Sequence, residues 1–369
     1  MNFSCNRSQL QTAIQTAMKA VGVKSPMNVL EGILLEVFPD SVRFTGYDLK
    51  KAIYTSIDAE VREQGGIVLN AKMLAGIAGA LPEEQVSIRT DGMNTYISCG
   101  KSEFFIIGMD AAEYPELPDV DGKEGIVLPQ NILGKMIRQT IFAVSDNEAR
   151  PVYTGELFEL VEGNLTIVAV DGYRLSLRRE KVEGVEKDTK FIVPGSALSD
   201  LEKLCGDTEE PVRIQLGDKH ISFSLEKTVL ISRRLEGEFM NYHTTVPTSF
   251  TVSVTAERAQ LQASIQRVSL VVDDRVKNPL RCCFEEDVIH IVCVTPLGKA
   301  DDYCPVDGDG KHLEIGFNNR YLLDALRAAP SEELKINLNT GSSPCVITPA
   351  DESDSFLYMI LPVRLRAEG

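Results

Sequence analysis

The sequence lacks the patterns by which most enzymes and metal proteins are recognised. It has no G-x-x-x-x-G-K-[ST] loop to hold nucleotide phosphates and no C-x2-C pair for zinc. None of the four histidines has a second ligand at metal-binding spacing, so a core or surface role is favoured over ligation for His220, His243, His290 and His312. An enzyme is therefore the least favoured class, and no cofactor or metal is expected.

Membrane and secretion signals are missing as well. No apolar run approaches the ~18 residues needed to span a bilayer. Met1 begins directly on a predicted strand, so no signal peptide is expected. The eight cysteines lie mostly in apolar runs, which favours reduced, buried thiols in a cytoplasmic protein. The segment Asp307–Gly310 resembles the start of a calcium loop but lacks its later ligands, so a solvated turn is favoured.

Length and composition indicate a globular protein of two or three domains. The chain has 369 residues, of which 43% are hydrophobic, enough to bury several ordinary cores. Its formal net charge is −16, and such an average argues against nucleic acid as a partner. The distribution of the charge, described below, changes that conclusion.

A repeat of strand followed by helix organises the chain. Asn70, Pro194 and Phe317 hold matching places in three copies and are 124 and 123 residues apart. The three copies are IVLNAKMLAGIAGALP at Ile67–Pro82, FIVPGSALSDLEKL at Phe191–Leu204 and LEIGFNNRYLLDALRAAP at Leu313–Pro330. In the last copy Asn318 is the predicted N-cap of a helix whose apolar residues recur at i, i+3 and i+4.

The repeat predicts three similar domains, at residues 1–124, 125–248 and 249–369. Each is expected to contain two β-α-β-β-β units, which gives about six helices and some twenty-four short strands. Examples are a strand at Val29–Phe38 and a helix at Gln130–Val144. Alternating strands and amphipathic helices predict an α+β architecture in which helices cover one face of each sheet.

Basic charge is concentrated on the predicted helices. They carry a net charge of +6, and the rest of the chain carries −22. Residues 1–30 and 126–145 contain no acidic residue. Charge counts alone leave ordinary solvated helix faces as an equal alternative. If the repeated domains surround an axis with their helices inward, the basic faces form one surface that suits a phosphate backbone without base readout.

Two further segments carry a resemblance to a known family. VAVDGYRLSL at Val168–Leu177 and YMILPVRL at Tyr358–Leu365, together with the threefold repeat, resemble the bacterial DNA polymerase III sliding clamp, the beta subunit. The resemblance implies three domains of the DNA-clamp type, with helices inward and sheets outward in a head-to-tail homodimer ring around duplex DNA. It also implies no enzymatic activity, and a clamp loader, the replicative polymerase and other replication and repair proteins as partners. The alternative from another class is a monomeric repeat scaffold that binds only proteins.

The resemblance implies a pocket for a short hydrophobic partner peptide between the second and third domains. The residues implied are Tyr153, Val170, Gly172, Tyr173, Arg174, Leu175, Met240, Thr244, Thr245, Asn318, Tyr321, Met359, Ile360, Leu361, Pro362, Val363, Arg364 and Leu365. We expect Leu175, Met240, Ile360, Pro362 and Val363 to supply an adaptable apolar floor. Without the resemblance, the C-terminal run would be taken for an ordinary interior strand. Met240, Val170, Tyr173 and the extra residues 366–369 depart from the family pattern.

The resemblance also implies a DNA surface and a dimer interface. Basic residues that match family positions near the inner face or lie on the basic helices are Lys24, Lys72, Arg150, Arg7, Lys135 and Arg138. At the interface, Phe104 and Ile106 of one subunit are expected to face Leu270 and Val271 of the other. Glu103 is expected to meet Lys299, because the signs of these charges are exchanged relative to family members.

Overall fold

The computed structural model describes residues 1–82, 84–120, 125–182, 188–272, 278–351, 353 and 355–365. The chain divides into two compact units, one of residues 1–134 with 200–234 and one of residues 135–199 with 235–369. The described residues contain six α-helices and 23 strands, which confirms the predicted α+β class. The predicted middle domain contributes strands to both units, and the division into three domains remains a proposal.

Each repeat contains two helices, each preceded by a strand. In the first repeat the elements are β1 Asn2–Asn6, α1 Arg7–Met18, β2 Gly32–Val37, β3 Ser41–Tyr47, β4 Lys51–Asp58, β5 Glu60–Glu63, β6 Gly65–Asn70, α2 Ala71–Ala80, β7 Gln85–Asp91, β8 Asn94–Cys99 and β9 Ser102–Ile107. In the second they are β10 Gly125–Pro129, α3 Gln130–Thr140, β11 Gly155–Val161, β12 Asn164–Val170, β13 Arg174–Lys181, β14 Thr189–Pro194, α4 Gly195–Leu204, β15 Pro211–Leu216, β16 His220–Leu225 and β17 Thr228–Arg233.

In the third repeat the four strands expected between the two helices are merged into two long ones. Its elements are β18 Val252–Glu257, α5 Arg258–Ser269, β19 Leu280–Thr295, β20 Gly298–Phe317, α6 Asn319–Ala328, β21 Glu333–Leu338, β22 Cys345–Pro349 and β23 Phe356–Ile360. β19 and β20 form one antiparallel hairpin, whose register shifts between Phe284 and Val288. Its two halves correspond to the β12–β13 and β11–β14 pairs of the second repeat.

The strands form three antiparallel sheets. In the first unit they are a five-stranded sheet of order β5-β1-β7-β8-β9 and an eight-stranded sheet of order β10-β15-β16-β17-β4-β3-β2-β6. The second unit has a ten-stranded sheet of order β14-β11-β12-β13-β23-β22-β21-β18-β20-β19. Consecutive repeats therefore share a sheet at two junctions, where β17 pairs with β4 and β13 pairs with β23.

Asparagine side chains begin several of the helices. Asn6 accepts a hydrogen bond from Ser8 N, Asn70 from Met73 N and Asn318 from Arg320 N. Each bond satisfies an amide that has no partner within its own helix. The cap predicted for Asn318 is confirmed.

One backbone hydrogen bond recurs in all three repeats. The N–H of the first residue of the first helix donates to a carbonyl just beyond the second helix. The pairs are Arg7 to Glu84 at 2.6 Å, Gln130 to Glu210 at 2.9 Å and Arg258 to Glu332 at 2.7 Å. The bond fixes the two helices of a repeat against each other, so the equivalence of the copies extends to individual atoms.

Apolar residues of the helices and of the sheet faces that they cover meet in separate clusters, which we call the inner clusters. In the first unit, α1 and α2 bury Leu10, Ile14 and Leu74 against the apolar faces of both sheets. In the second unit, α5 and α6 bury Ile265 and Leu326 in the same way. Six of the eight cysteines are buried, and burial raises the pKa of the Cys5 thiol to about 12, as expected for an unreactive thiol.

Three local predictions were wrong. Residues Asn28–Glu31 form a 3-10 turn, so the strand expected from Val29 begins at Gly32. An apolar run alone does not distinguish a strand from a 3-10 turn. The helix expected to reach Val144 ends at Thr140 and continues as a 3-10 turn, Ile141–Ala143. Asp307–Gly310 is not a turn but part of β20, where Gly310 lies so close to Phe284 that a Cβ would clash with its backbone.

A buried acid interrupts the inner core of the second repeat. Glu156 is fully buried on β11 opposite Val193, at a position where the other repeats bury Ile33 and Leu280. Nearby, the Ser176 hydroxyl donates to the Thr140 carbonyl at 2.7 Å. Burial raises the pKa of the Glu156 carboxyl to about 8.

The raised pKa predicts a pH-dependent stability. Between pH 4.5 and 8 the folded state holds a proton on Glu156 that the unfolded state has lost, so the free energy of unfolding falls as pH rises. We expect Glu156→Leu to reduce the loss between pH 5 and 8 by on the order of 3 kcal/mol in urea unfolding. The exposed control Glu148→Gln should keep the wild-type slope, and an unchanged slope in Glu156→Leu would contradict the assignment.

Candidate functional site

An apolar cluster lies on the outer face of the ten-stranded sheet, opposite the helices. Leu175 of β13 is directly opposite Met359 of β23, which joins side chains of the second and third repeats. We call this set the outer cluster; its buried members are Leu157, Val168, Val170, Leu175, Leu177, Ile192, Tyr242, Val346 and Met359. Partly exposed residues at its margin, including Tyr153, Phe239 and Met240, leave it accessible to a ligand.

The structure places two of the five residues of the predicted floor in the outer cluster or at its margin. Leu175 and Met240 belong to the outer cluster or its margin, with Val170 and Met359 beside them. Ile360 does not, because alternate residues of β23 point to opposite faces of the sheet. Its side chain is buried in the inner cluster with α5 and α6. Met359 therefore takes the place expected for Ile360.

Arg174 begins β13 beside Leu175 of the outer cluster, and its side chain connects the two repeats at this end of the strand, which we call the rim. Its Nε donates to Asp171 Oδ2 at 3.0 Å, and its Nη1 donates to Asp324 Oδ2 on α6 at 2.6 Å. The guanidinium also lies 4.5 Å from the centroid of the Tyr321 ring and 5.3 Å from that of Phe142. An arginine held by two carboxylates and two rings is rigid, so it fixes the shape of this rim.

Tyr173 and Tyr321 form an aromatic flank beside Arg174. Their rings stack with centroids 6.2 Å apart, and Tyr173 remains exposed. The preceding Gly172 has φ 94° and nothing near the position of a Cβ, so this turn leaves open space. Such a flank suits an apolar or aromatic peptide side chain.

The C-terminal segment continues the sheet for a few residues beyond β23. Leu361 N donates to Tyr173 O at 2.8 Å, and Val363 N donates to Gly316 O at 2.8 Å. Leu365 lies against Gly316, where a Cβ would come within 2.8 Å of its Cδ2. Pro362 is partly exposed and Val363 and Arg364 are exposed. Residues 366–369 lie outside the described residues.

Three predicted polar residues have their oxygens engaged within the fold. The Thr244 and Thr245 hydroxyls both donate to Asn241 O at 3.1 Å and close the 3-10 turn Tyr242–Thr244. The Asn318 carboxamide oxygen caps α6. The two threonines therefore stabilise a turn, and Asn318 stabilises the start of a helix.

A polar cleft of about 730 Å³ adjoins the outer cluster. At its base the nearly buried Glu159 bonds to Lys190, His243 and the Tyr242 hydroxyl. Burial opposes ionisation of Glu159, but the bonds from Lys190, Tyr242 and His243 outweigh it and lower the pKa of the carboxyl. Through Tyr242, this ion network anchors the segment that carries Met240.

The predicted DNA-contacting residues are mostly exposed. Lys24, with φ 55°, and Lys72 of α2 are exposed in the first unit, and Lys135, Arg138 and Arg150 are exposed in the second. Arg7 is different, because its Nη1 donates to Leu81 O at 2.7 Å and so bonds to the end of α2. Arg258 makes a similar bond from its Nε to Ser331 O at 3.0 Å, which favours a structural role at this repeat position.

The predicted interface residues lie on two separate elements. On β9, Phe104 and Ile106 face the inner cluster of their own unit, whereas Glu103, Phe105 and Ile107 point outward. At the end of α5, Leu270 is 85% exposed, and Val271 packs partly against the inner cluster. Lys299 Nζ lies 3.2 Å from Asp301 Oδ2 of the same chain.

Two features are absent from the described part of the chain. No group of three or more His, Cys, Asp or Glu side chains there is placed to hold a metal ion. Among the helices of that part of the chain, none is long and apolar enough to cross a membrane.

Comparison with known proteins identifies the family. Three family models match the chain in order, for the N-terminal, central and C-terminal domains of the DNA polymerase III beta subunit, at residues 1–118, 127–241 and 243–364. The beta sliding clamp of Halalkalibacterium halodurans is 32% identical over 99% of this chain and 100% of its own length. That of Staphylococcus aureus is 30% identical over 99% of both.

Solved structures agree with the sequence relatives. The DNA polymerase sliding clamp of Bacillus subtilis superposes with a TM-score of 0.95 at 29% identity, over 99% of this chain and 100% of its own. The DNA polymerase III beta subunit of Pseudomonas aeruginosa gives 0.93 at 26% identity, with the same coverage. The fold and the function are those of a DNA sliding clamp. Within that class, the chain belongs to the DNA polymerase III beta subunit family, and a scaffold that binds only proteins is not favoured.

Sequence reasoning missed several residues that complete the pocket. Asp171 and Asp324 hold Arg174, and Phe239 packs on Tyr153 with ring centroids 5.4 Å apart. The Asp-Gly pair within VAVDGYRLSL is a turn signal that pointed to Asp171. No local signal pointed to Asp324, because its partner is 150 residues away.

Asp171 is expected to be the main support of this rim. Its Oδ1 accepts from Tyr173 N at 2.8 Å and Arg174 N at 3.0 Å, in addition to the bond from the guanidinium. We expect Asp171→Ala to lower the free energy of unfolding by roughly 1–3 kcal/mol, because these donors lose a charged acceptor. Asp324→Ala removes one such bond and should lower the free energy of unfolding by less, as measured by urea unfolding. Equal effects would mean that Asp171 does not organise the turn.

Proposed function

We propose that the chain acts as a homodimeric ring of six domains, each subunit divided at residues 124 and 248. The ring would hold duplex DNA on its basic helices and bind hydrophobic peptides of the replicative polymerase, clamp loader and repair proteins at the outer cluster, without catalysis of its own. The accessible outer cluster with its Arg174 rim is the observation that carries this proposal. Because DNA is the proposed partner, we also propose a cytoplasmic location.

The strand edges support the head-to-tail dimer. β17 and β23 end their repeats by pairing with β4 and β13, but the equivalent strand β9 is an outermost strand of its sheet. The equivalent of β4 and β13 in the third repeat is Gly298–Pro305, which pairs only with β19 among the described residues. Exposed edges invite pairing with another chain. A head-to-tail contact made twice closes a ring.

The exposed Leu270 has a buried counterpart at an internal junction. Leu270 is the thirteenth residue from the start of α5, and Phe142 is the thirteenth from the start of α3. Phe142 packs on Tyr358 of the next repeat in an edge-to-face contact of 5.3 Å. Tyr358 corresponds on β23 to Phe104 on β9. Equivalence therefore supports a contact between Leu270 of one subunit and Phe104 of the other.

Removing the Leu270 side chain should weaken the dimer. Burying a leucine is worth about 1.5–3 kcal/mol, so Leu270→Ser should raise the dimer dissociation constant by at least about tenfold. Val23→Ser is the matched control, since Val23 is 79% exposed and lies on neither edge. Analytical ultracentrifugation gives both constants. Similar values for the two variants would exclude Leu270 from the interface.

DNA contact is expected to be weak, independent of sequence and sensitive to salt. The basic helices offer phosphate contacts without any base-reading element. Lys24→Glu with Lys72→Glu should shorten retention on closed circular DNA and reduce the salt slope by about one unit for each phosphate that is no longer neutralised. Lys219→Glu, at an exposed turn between β15 and β16, is the charge-reversal control for each single substitution. If the double variant is retained at low salt as long as the wild type is, the assignment of these residues to the DNA surface is wrong.

Peptide binding is expected to need the segment after β23. Deleting residues 361–369 removes the Leu361 and Val363 bonds and one wall of the pocket. A fluorescent hydrophobic pentapeptide should then bind about 30-fold more weakly or worse, as when an interface anchor is removed. Deleting only residues 366–369 should leave the affinity unchanged. If both truncations bind equally, the pocket lies elsewhere.

A further inference from the structure

The linkers that follow the first and second repeats leave the sheets in the same way. Val68 and Ile192 are 124 residues apart, which is the spacing of the repeat. Met109 N donates to Val68 O at 2.9 Å, and Leu235 N donates to Ile192 O at 3.0 Å. We call residues 110–120 the first linker and residues 236–246 the second linker. Each begins beside the apolar cluster of its own junction.

The first linker places an aromatic ring inside the cluster of its junction. Tyr114, five residues after Met109, is buried in the same cluster as Tyr47 and Ala52. Its hydroxyl donates to Thr45 O at 3.3 Å. The ring therefore occupies the cluster, as a side chain of a ligand would.

The second linker keeps its first aromatic ring at the margin of the outer cluster. Phe239, four residues after Leu235, is only partly buried there, and its ring packs edge-to-face on that of Tyr153. The nearby Gly237 has φ 128°, a backbone conformation that suits glycine and allows the linker to turn sharply. Two linkers that begin alike therefore bring their rings to different places.

Glu159 holds the second linker in this position. The buried Tyr242 donates its hydroxyl to Glu159 Oε2, and His243 Nε2 lies 3.0 Å from the same oxygen. Lys190 Nζ binds the other carboxylate oxygen. The side chains of Lys190 and His243 are 63% and 58% exposed, so water satisfies them when the carboxylate is removed. Tyr242 is thus the donor that depends on Glu159.

The first linker lacks the donor on which this anchor is built. Leu117 stands three residues after the ring in the first linker, as Tyr242 does in the second. A leucine side chain packs against the cluster but has no hydrogen-bond donor that a carboxylate could hold. Glu36, the counterpart of Glu159 one repeat earlier, instead lies 3.9 Å from Arg43. The anchor therefore accounts for the different placement of the two rings.

Resting on the proposed peptide binding, we infer that Glu159 is a positioning residue for the pocket, which keeps Phe239 out of the space that a peptide side chain fills. When the bond from Tyr242 is lost, the second linker takes the arrangement of the first, and burial of the Phe239 ring in the outer cluster favours this state. The ring then competes with the peptide from within the same chain. Peptide affinity is therefore set in part by an anchor in the neighbouring polar cleft.

A tryptophan at residue 239 reports directly where the ring lies. The sequence contains no tryptophan, so Phe239→Trp introduces a single indole fluorophore. In this background Glu159→Ala should shift the emission to shorter wavelength, because the ring passes from the margin into an apolar cluster. Tyr242→Phe, which removes only the hydroxyl and keeps the ring, should shift the emission in the same direction. Glu162→Ala is the matched control, since its exposed side chain lines the same cleft, and it should leave the emission unchanged.

Peptide binding in a double-mutant cycle gives the second readout. Tyr242→Phe should weaken binding of the fluorescent hydrophobic pentapeptide about tenfold, because the competing ring occupies most molecules. In a Phe239→Ser background, where no ring competes, the same substitution should weaken binding by less than about twofold. A general loss of packing would instead weaken binding equally in both backgrounds, and that result would overturn the inference.

The two readouts separate this inference from the proposed function. A wild-type protein that does not bind the pentapeptide overturns the proposed pocket, whatever the emission does. Binding by the wild type, without an emission shift in either the Glu159→Ala or the Tyr242→Phe variant, overturns the positioning role of Glu159 and leaves the pocket intact.

Discussion

The constraint on which the structure depends is that each repeat leaves a strand edge for the next to complete. An unpaired edge exposes a row of backbone donors and acceptors, and it costs free energy unless water or another strand satisfies them. The chain meets this need twice, by pairing β17 with β4 and β23 with β13. Because the register is the same both times, the side chains on the outer face meet in the same way, and an apolar cluster forms beside each junction.

The segment that covers each apolar cluster determines whether the junction keeps an opening for a ligand. At the first junction, Tyr114 is buried against Tyr47 and Ala52, and its hydroxyl donates to Thr45 O at 3.3 Å, so the linker fills the space. At the second, the segment around Tyr242 covers only part of the cluster, because the bonds of Glu159 hold it to one side. The remaining opening, bordered by Arg174, is the candidate pocket. The position of that pocket thus follows from how a linker is anchored.

Much of this arrangement could be predicted from the sequence, because the repeat is a local pattern that occurs three times. Apolar spacing and asparagine caps predicted the helices, and charge counts separated basic helices from acidic surroundings. The side-chain direction of Ile360 was predicted wrongly, since neighbouring apolar residues at the end of β23 gave no alternation to follow. The long-range partner Asp324 and the acid at Glu156 were also missed. Their environments are created only when segments far apart in the chain pack together.

A junction between subunits has a requirement that internal junctions do not share, because its surfaces must also exist apart in water. On the outer face, the first junction has Val229 opposite Tyr54 and the second has Leu357 opposite Leu177, both apolar pairs. At the proposed subunit interface, Glu103 on β9 and Lys299 on β20 are charged. Charged residues at these places reduce the free energy cost of exposing the separated surfaces to water. They also reduce the free energy gained when the two surfaces come together. Apolar pairs therefore suit the permanent junctions within the chain, and charged residues suit the separable contact proposed between subunits.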